Sequence, residues 1–565
     1  MLSLMYPDGE DRAREQALPQ RTQEDLGLAL LARELAGGSL SDRQATRLLA
    51  QLPTDRETII HRQRILVDIA QHPELRDGLS ALLPKIRELT MFSRSAREAD
   101  APLLQAIWRI GELELYLECI RDLCSAFDAV DAGQSGDLSA GLTTLADYAR
   151  RAARTETFAA LAEELPRLKE GLKQKQSVTI GVNLDERFRP TEAALLSVNP
   201  ERFEQSGLLG RFFDTLEHSS DYRVSRPIHR MPSPASIPER KIPLTPLFQD
   251  LDTVLRSLGK SLHRGLREFL SVETAPLSGL EPEISFYLGA HTLKVRLEAA
   301  GLPTAFPTVA ETEERSLQAT GFYNLQLALR VLEAGGAPSE AGAPDGTASE
   351  AAATAGAVVR NDLDLGGRAG ILLITGANQG GKTTFVQGAG ILQVLAQAGL
   401  FVPAEEAVVS PVDTVVTHFP TAEAGSIETG RLSQELGDLA RMFDLATNDS
   451  LLLLNESLAS TNAAEALVVA EEMIAALRRI GTRTLYATHL HELADRLHRL
   501  NEPADVGPQV AGLTAETEWD GEQVRRTYRI VPGSPGGHSF ARDLARKHGI
   551  SYEQLLEKFR ERGIL

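Results

Sequence analysis

The segment "GANQGGKT", Gly376 to Thr383, constrains the fold more than any other part of this 565-residue chain. It satisfies G-x-x-x-x-G-K-[ST] at each fixed position. An apolar run, "ILLIT", precedes it, and "TFVQGAGILQVLAQ", which reads as a helix, follows. Strand, glycine-rich turn and helix in that order fold the turn's backbone into a nest of N–H groups. The new helix points the positive end of its dipole at the same place. Such a nest binds phosphate. Lys382 is then expected to reach the β- and γ-phosphates of a nucleotide, and Thr383 to offer its hydroxyl to Mg²⁺.

"SLLLLNE" and "TRTLYATH" supply further apolar runs of strand length. Short, continuous apolar runs separated by helical segments are the pattern of a parallel sheet covered on both faces. We therefore expect an α/β domain over 358–532. Phosphoryl transfer also needs a metal holder, a base for the attacking water and a contact to the γ-phosphate. Glu456, just past "LLLLN", is the candidate base. His489, at the end of the third strand, is placed to bond the water or the γ-phosphate. Where an Asp usually holds the metal this chain has Asn455. The amide keeps a carbonyl acceptor and loses one charge. Two unit charges about 4 Å apart at an effective dielectric near 20 interact by roughly 4 kcal/mol, and a water-bridged contact by less. Most Mg²⁺ ligands are phosphates, waters and Thr383, so metal binding should weaken without vanishing. Slow hydrolysis that depends on Glu456 and is sensitive to Mg²⁺ is expected.

The rest of the chain reads as a multidomain protein, since 565 residues exceed a single core. Residues 1–335 read as mainly helical, with helices resuming from about Leu247 to Leu332. Thr54 and Glu57 form a capping-box pattern, and Ile59, Leu66, Ile69 and Ala70 follow on one helical face. A small insertion, about 176–245, interrupts the helices. Val178, Ile180 and Val182 alternate there as in a strand, and a Pro-rich stretch collects Arg223, Arg226, His229, Arg230, Arg240 and Lys241. Residues 336–357, rich in Ala, Gly and Pro, read as a flexible loop and a boundary. "WDGEQVRRTYRIV" reads as a hairpin around Asp520-Gly521. The tail, 533–565, reads as two short helices, the second opened by a Ser551/Gln554 capping box. A net charge of −19 argues against non-specific coating of nucleic acid or membrane, and leaves room for one local basic patch. Two cysteines, Cys119 and Cys124, fit a reducing compartment and make no metal site. With no signal-like or membrane-length apolar run, a cytoplasmic location is expected.

Three of these segments, "TGANQGGKTTF", "SLLLLNESLASTN" and "TLYATHLHEL", resemble the MutS family, a branch of the ABC-type ATPases. "YRIVPGSPGGHSFARDLARKHGIS" is similar to its helical dimerisation end, and the N-terminal half to its helical core and lever with a reduced clamp. The resemblance implies a homodimer that pairs two P-loop ATPase domains and encloses DNA, its grip changed by ATP and Mg²⁺. It implies that Gly376, Ala377, Asn378, Gln379, Gly380, Gly381, Lys382, Thr383 and Thr384 cradle the nucleotide. Thr383 and Asn455 would serve the metal, Glu456 would be the base, and His489 would sense the γ-phosphate. The turn from Ala459, with Ser460, would face the partner subunit.

Several departures from the family pattern shape the expectation. The helical core begins within the first few tens of residues, leaving no room for a mismatch-reading module. No Smr-type nuclease follows the ATPase. The serine of the family's Ser-Thr-Phe group is replaced by Gly430, and Arg431 beside it would act in trans on the γ-phosphate; a solvated arginine at a helix start carries the same pattern. Arg223, Arg226, Arg230, Arg240 and Lys241 would contact DNA phosphates, giving salt-sensitive binding to duplex or branched DNA in repair or recombination. A related ATPase that engages ribosomes or another RNA–protein assembly is the alternative.

Overall fold

The computed structural model describes residues 2–7, 15–36, 41–99, 102–133, 137–173, 177–184, 186, 190–199, 229–230, 259–260, 262–269, 271–335, 357–367, 369–419, 428–520, 523–533 and 549–562. The N-terminal half is built on long helices. Pro73–Glu98 and Pro102–Ala132, of 26 and 31 residues, pack side by side, and Ala275–Ala299 returns along the first of them. Buried Leu75, Leu79, Leu82, Ile86 and Leu89 recur at helical spacing and form that seam. The helix expected after Pro53 starts at Arg56. Its N-cap is Asp55, whose carboxylate accepts from Thr58 N–H, in place of the Thr54/Glu57 box. Ile59, Leu66 and Ile69 face the core as expected.

Between the helix Glu156–Lys173 and the segment around 262–269 lies a three-stranded antiparallel sheet, Ser177–Leu184, Pro190–Asn199 and His229–Arg230. It occupies the region read as a clamp insertion. Beyond it, Leu262, Leu266 and Phe269 pack with Ile110, Leu113 and Leu117 of the long helix, a separate small core.

The second half is organised on a six-stranded sheet in the order 415–418, 451–455, 483–487, 369–375, 509–520, 523–532. The first five strands run parallel, and the last closes an antiparallel hairpin whose end pair is Asp520 and Gln523. Its two faces belong to two cores. Leu453, Leu485, Leu372 and Ile374 point into a cluster continuous with the N-terminal helices, while Leu452, Leu454, Tyr486 and Leu373 face the helix Ala463–Ile480. Apolar residues on both sides of each strand are what this doubly covered arrangement demands.

Two expectations on organisation need correction. The stretch read as helix up to Leu332 contains strands Thr308–Val309 and Leu317–Phe322. These join Glu406–Val409 and Asn361–Leu365 in a four-stranded sheet, so strands on both sides of the Ala/Gly-rich segment pair with each other. The boundary expected at 336–357 cuts through this packing unit. The N-terminus also belongs to it. The helix Gln20–Asp25 lies on the edge strand Val415–His418: Thr22 Oγ1 donates to Val415 O at 3.0 Å, and Arg21 donates to Phe419 O and to Asp438. Leu26 fits against Gly390, where an added Cβ would lie 2.7 Å from its Cδ2. The tail helix Tyr552–Glu561 opens with the expected Ser551/Gln554 capping box; residues 534–548, read as the first tail helix, lie outside the described residues.

Candidate nucleotide site

The phosphate loop joins the strand Ala369–Thr375 to the helix Lys382–Gln397. Its glycines are dictated by geometry. Gly381 is the helix N-cap with φ +94°, and Gly376 has φ +124° with Ala515 backbone nitrogen 2.9 Å from where a Cβ would sit. Lys382 is 3% exposed, and its ammonium donates to Gly376 O at 2.8 Å and Ala377 O at 3.0 Å. Burial pushes its pKa down, and the nearby Glu456 carboxylate opposes that shift. An ammonium buried against carbonyls at the mouth of a glycine nest is suited to an anion with several negative oxygens.

The metal and base candidates come from the end of Leu451–Asn455. Asn455 is buried, and its Oδ1 accepts the Thr383 hydroxyl at 2.9 Å. These two oxygens fit a hard cation that takes its remaining ligands from phosphate and water. Among the described residues no group of three or more His, Cys, Asp and Glu side chains is placed to hold a metal, so the site offers Mg²⁺ these two oxygens without a carboxylate cage. Glu456 and His489, each about one-third exposed, meet at 2.8 Å between Oε1 and Nε2. His489 therefore touches the base candidate directly, a contact the sequence reading did not include. Its Nε2–H donates to the carboxylate, which leaves Nδ1 as the acceptor when the ring is neutral.

The loop after Glu456 is backbone-strained. Glu456 and Leu458 are non-glycine residues at φ +52° and +70°, a conformation costing of order 1–3 kcal/mol each. Neighbours hold it: Glu456 N–H donates to Ala487 O at 2.7 Å, Tyr486 OH donates to Ser457 O at 3.2 Å, and Ser457 Oγ pairs with His418 Nδ1 at 2.7 Å. Burial pushes the His418 pKa down to about 4, so the ring is neutral at pH 7. Ser460, expected at the partner face, bonds to Glu435 of its own chain.

A cavity of about 420 Å³ opens beside the phosphate loop, a size suited to a small ligand. Gln379 to Thr384 and Glu456 line one side. The opposite wall, which sequence reasoning missed, is Phe322, Asn324, Leu327, Asn361 and Tyr528. Asn324 ties this wall to the loop's helix, donating to Thr384 O at 2.9 Å and accepting from Leu327 N–H. Arg526 donates to Gln379 Oε1 at 2.8 Å. Asn378 lies exposed in the turn. Arg431 falls on the first turn of the helix Glu428–Leu445. The proposed DNA contacts are not brought to this site. Arg223, Arg226, Arg240 and Lys241 lie outside the described residues, and Arg230 is placed by its backbone at the end of the three-stranded sheet.

Comparison with known proteins follows the two halves of the chain. The family model "MutS domain V" matches residues 372–555, and "MutS2 N-terminal domain" matches 54–300. The chain is 34% identical over 204 residues to a DNA mismatch repair protein MutS of Chlorobium phaeovibrioides, covering 36% of this chain and 22% of that one. It is 37% identical over 185 residues to the DNA mismatch repair protein MutS of Rhodopirellula baltica, covering 32% and 20%. It is 32% identical over 194 residues to an Endonuclease MutS2 of Lactobacillus acidophilus, covering 34% and 23%. The matched part thus spans about a fifth of the length of these curated relatives. Among the described residues no helix is long and apolar enough to cross a membrane.

Proposed function

We propose that this chain, whose two halves match the MutS domain V and MutS2 N-terminal family models, is an ATPase of the MutS type whose nucleotide cycle opens and closes a homodimer on duplex or branched DNA. The observation that carries the ATPase reading is the convergence on one phosphate loop of Lys382, the Thr383–Asn455 pair and the Glu456–His489 pair.

In this reading the loop's N–H groups and Lys382 hold the β- and γ-phosphates. Thr383 and Asn455 would hold Mg²⁺, which would supply charge neutralisation at those phosphates. Glu456 orients the attacking water and accepts its proton as the water oxygen bonds to the γ-phosphorus and the bond to the β–γ bridging oxygen breaks, releasing ADP and phosphate. His489 steers the Glu456 carboxylate through its Nε2–H and takes the γ-phosphate contact once nucleotide is bound. The wall of Phe322 and Tyr528 receives the base. Arg431, on the first turn of its helix, reaches the partner's nucleotide, and the turn at Ser460 lies near the same face. With Asn455 in place of a carboxylate, these residues would hold Mg²⁺ more weakly, and turnover would be slow.

DNA is the proposed ligand because both family matches point to MutS-type proteins, two of the similar proteins are named for mismatch repair, and the insertion carries the basic stretch from Arg223 to Lys241. Contacts from such residues go to phosphates, so binding should be salt-dependent and tolerant of sequence. The test is ATP hydrolysis by the full chain alone and with homoduplex, mismatched and four-way-junction DNA, with Glu456→Gln as control. Stimulation by junctions above homoduplex, absent in Glu456→Gln, is the expected result. No stimulation by any DNA, together with co-purifying ribosomes, would replace DNA by an RNA–protein assembly.

A further inference from the structure

The turn "ESLAS", Glu456 to Ser460, carries the base, and a carboxylate distant in sequence holds its far side. Glu435 stands on the second turn of the helix Glu428–Leu445. Its Oε1 accepts the Leu458 N–H at 2.6 Å; its Oε2 accepts the Ser460 N–H at 3.3 Å and the Ser460 hydroxyl. Three hydrogen bonds to an ionised acceptor, each stronger than a neutral one, thus converge on a stretch that contains two left-handed, non-glycine residues. Such a backbone persists only where its surroundings over-determine it. His418 and Tyr486 hold Ser457 from the strand side, and Glu435 holds Leu458 and Ser460 from the helix side. Freed from Glu435, the turn loses the anchor nearest its second left-handed residue, two positions from the base.

We propose that Glu435 is a positioning residue for the general base: it fixes the 456–460 turn so that the Glu456 carboxylate stays directed at the phosphate loop and within reach of His489. The proposal rests on the ATPase reading above. It assigns Glu435 no contact with nucleotide, so its loss should lower turnover and leave nucleotide binding intact. The assignment also makes the helix Glu428–Leu445 a mechanical handle on the base, since a displacement of that helix moves Glu435 and the turn with it.

The experiment compares wild type, Glu435→Ala, Glu435→Gln, Glu456→Gln and the Glu435→Ala/Glu456→Gln pair in the full chain. ATP hydrolysis is measured at saturating Mg²⁺, and affinity with a fluorescent ATP analogue. Glu435→Ala is expected to lower kcat on the order of tenfold to hundredfold, the cost of misplacing a reacting group, with KM and analogue affinity within about twofold. Glu435→Gln, which keeps one acceptor oxygen, should fall between it and wild type. In the Glu456→Gln background Glu435→Ala should change the residual single-turnover rate by less than about twofold, because the group it positions is gone. A wild-type kcat in Glu435→Ala overturns the proposal, as does an equal further loss in the Glu456→Gln background. If Glu435→Ala does not fold, judged by its unfolding transition, Glu435→Gln carries the same comparison. Wild-type turnover no faster than Glu456→Gln overturns the ATPase reading itself and this proposal with it, a result distinct from failure at Glu435 alone.

Discussion

Two loops at the C-terminal ends of strands in one parallel sheet build the site, and they are held by opposite means. The phosphate loop is held largely from within. Its positive dihedrals fall on Gly376, Gln379 and Gly381, two of the three being glycine, and its lysine bonds to carbonyls five and six residues away; Arg526 adds one distant contact, to Gln379. The base loop is dependent. Its positive dihedrals fall on Glu456 and Leu458, and its bonds come from Glu435, His418 and Tyr486, between 23 and 39 residues away in sequence. A loop that binds a constant chemical group can be encoded locally. A loop that must aim one carboxylate is exposed to everything packed around it, which makes it the more easily regulated of the two.

Four changes test that contrast. The largest effect is expected at Glu456 itself: Glu456→Gln should cut hydrolysis by about 10²–10⁴-fold while ATP still binds, read as turnover against analogue affinity. Loss of binding as well would merge the two loops into one function. The next is acid sensitivity of the dependent loop. His418 is neutral and buried, with its pKa lowered to about 4. The unfolded chain, with an ordinary imidazole near 6.5, binds more protons between those values. Its contribution is therefore complete above about pH 6.5 and is lost as pH falls toward 4, a loss of at most about 3 kcal/mol. Urea unfolding at pH 7 and pH 4.5 should show a steeper acid loss in wild type than in His418→Asn. Equal slopes would remove His418 from the account.

Smaller still is Gly381→Ala. Placing a Cβ at φ +94° costs roughly 1–2 kcal/mol, so analogue affinity should drop about tenfold, with unchanged turnover of whatever nucleotide binds. A drop in kcat at saturating ATP would show that the phosphate loop also aims the base. The smallest effect is expected from Asn455→Asp. It restores a charge beside the metal oxygens, and the Mg²⁺ concentration for half-maximal hydrolysis should fall several-fold. An unchanged requirement would mean that Asn455 serves only as the acceptor for Thr383.

The same contrast explains what could be read from the residues. The phosphate loop, Asn455, Glu456 and His489 were legible because each stands at a strand end that its own apolar run announces. The Ser551 cap and the Asp520 hairpin were legible for the same local reason. Glu435 was not: a glutamate on an amphipathic helix carries no mark of the turn it will bond. The cavity wall of Phe322, Asn324 and Tyr528 was hidden because it assembles from segments about 200 residues apart. Thr308–Val309 is too short to establish a period of two, and Leu317–Phe322, which alternates buried and exposed over most of its length, lies between helices; both are made strands by their partners Glu406–Val409 and Asn361–Leu365.

The clasp of Gln20–Asp25 on the edge strand has a practical consequence for taking the molecule apart. Arg21 and Thr22 occupy the carbonyls of Phe419 and Val415, Gln387 donates to Asp25 O, and Leu26 fills the notch at Gly390. A fragment cut to begin after residue 300 would uncover a greasy socket and a bare strand margin, an invitation to stick to its neighbours. Whoever wants the C-terminal half alone should expect to graft the first thirty-odd residues back onto it, or to supply them as a separate peptide.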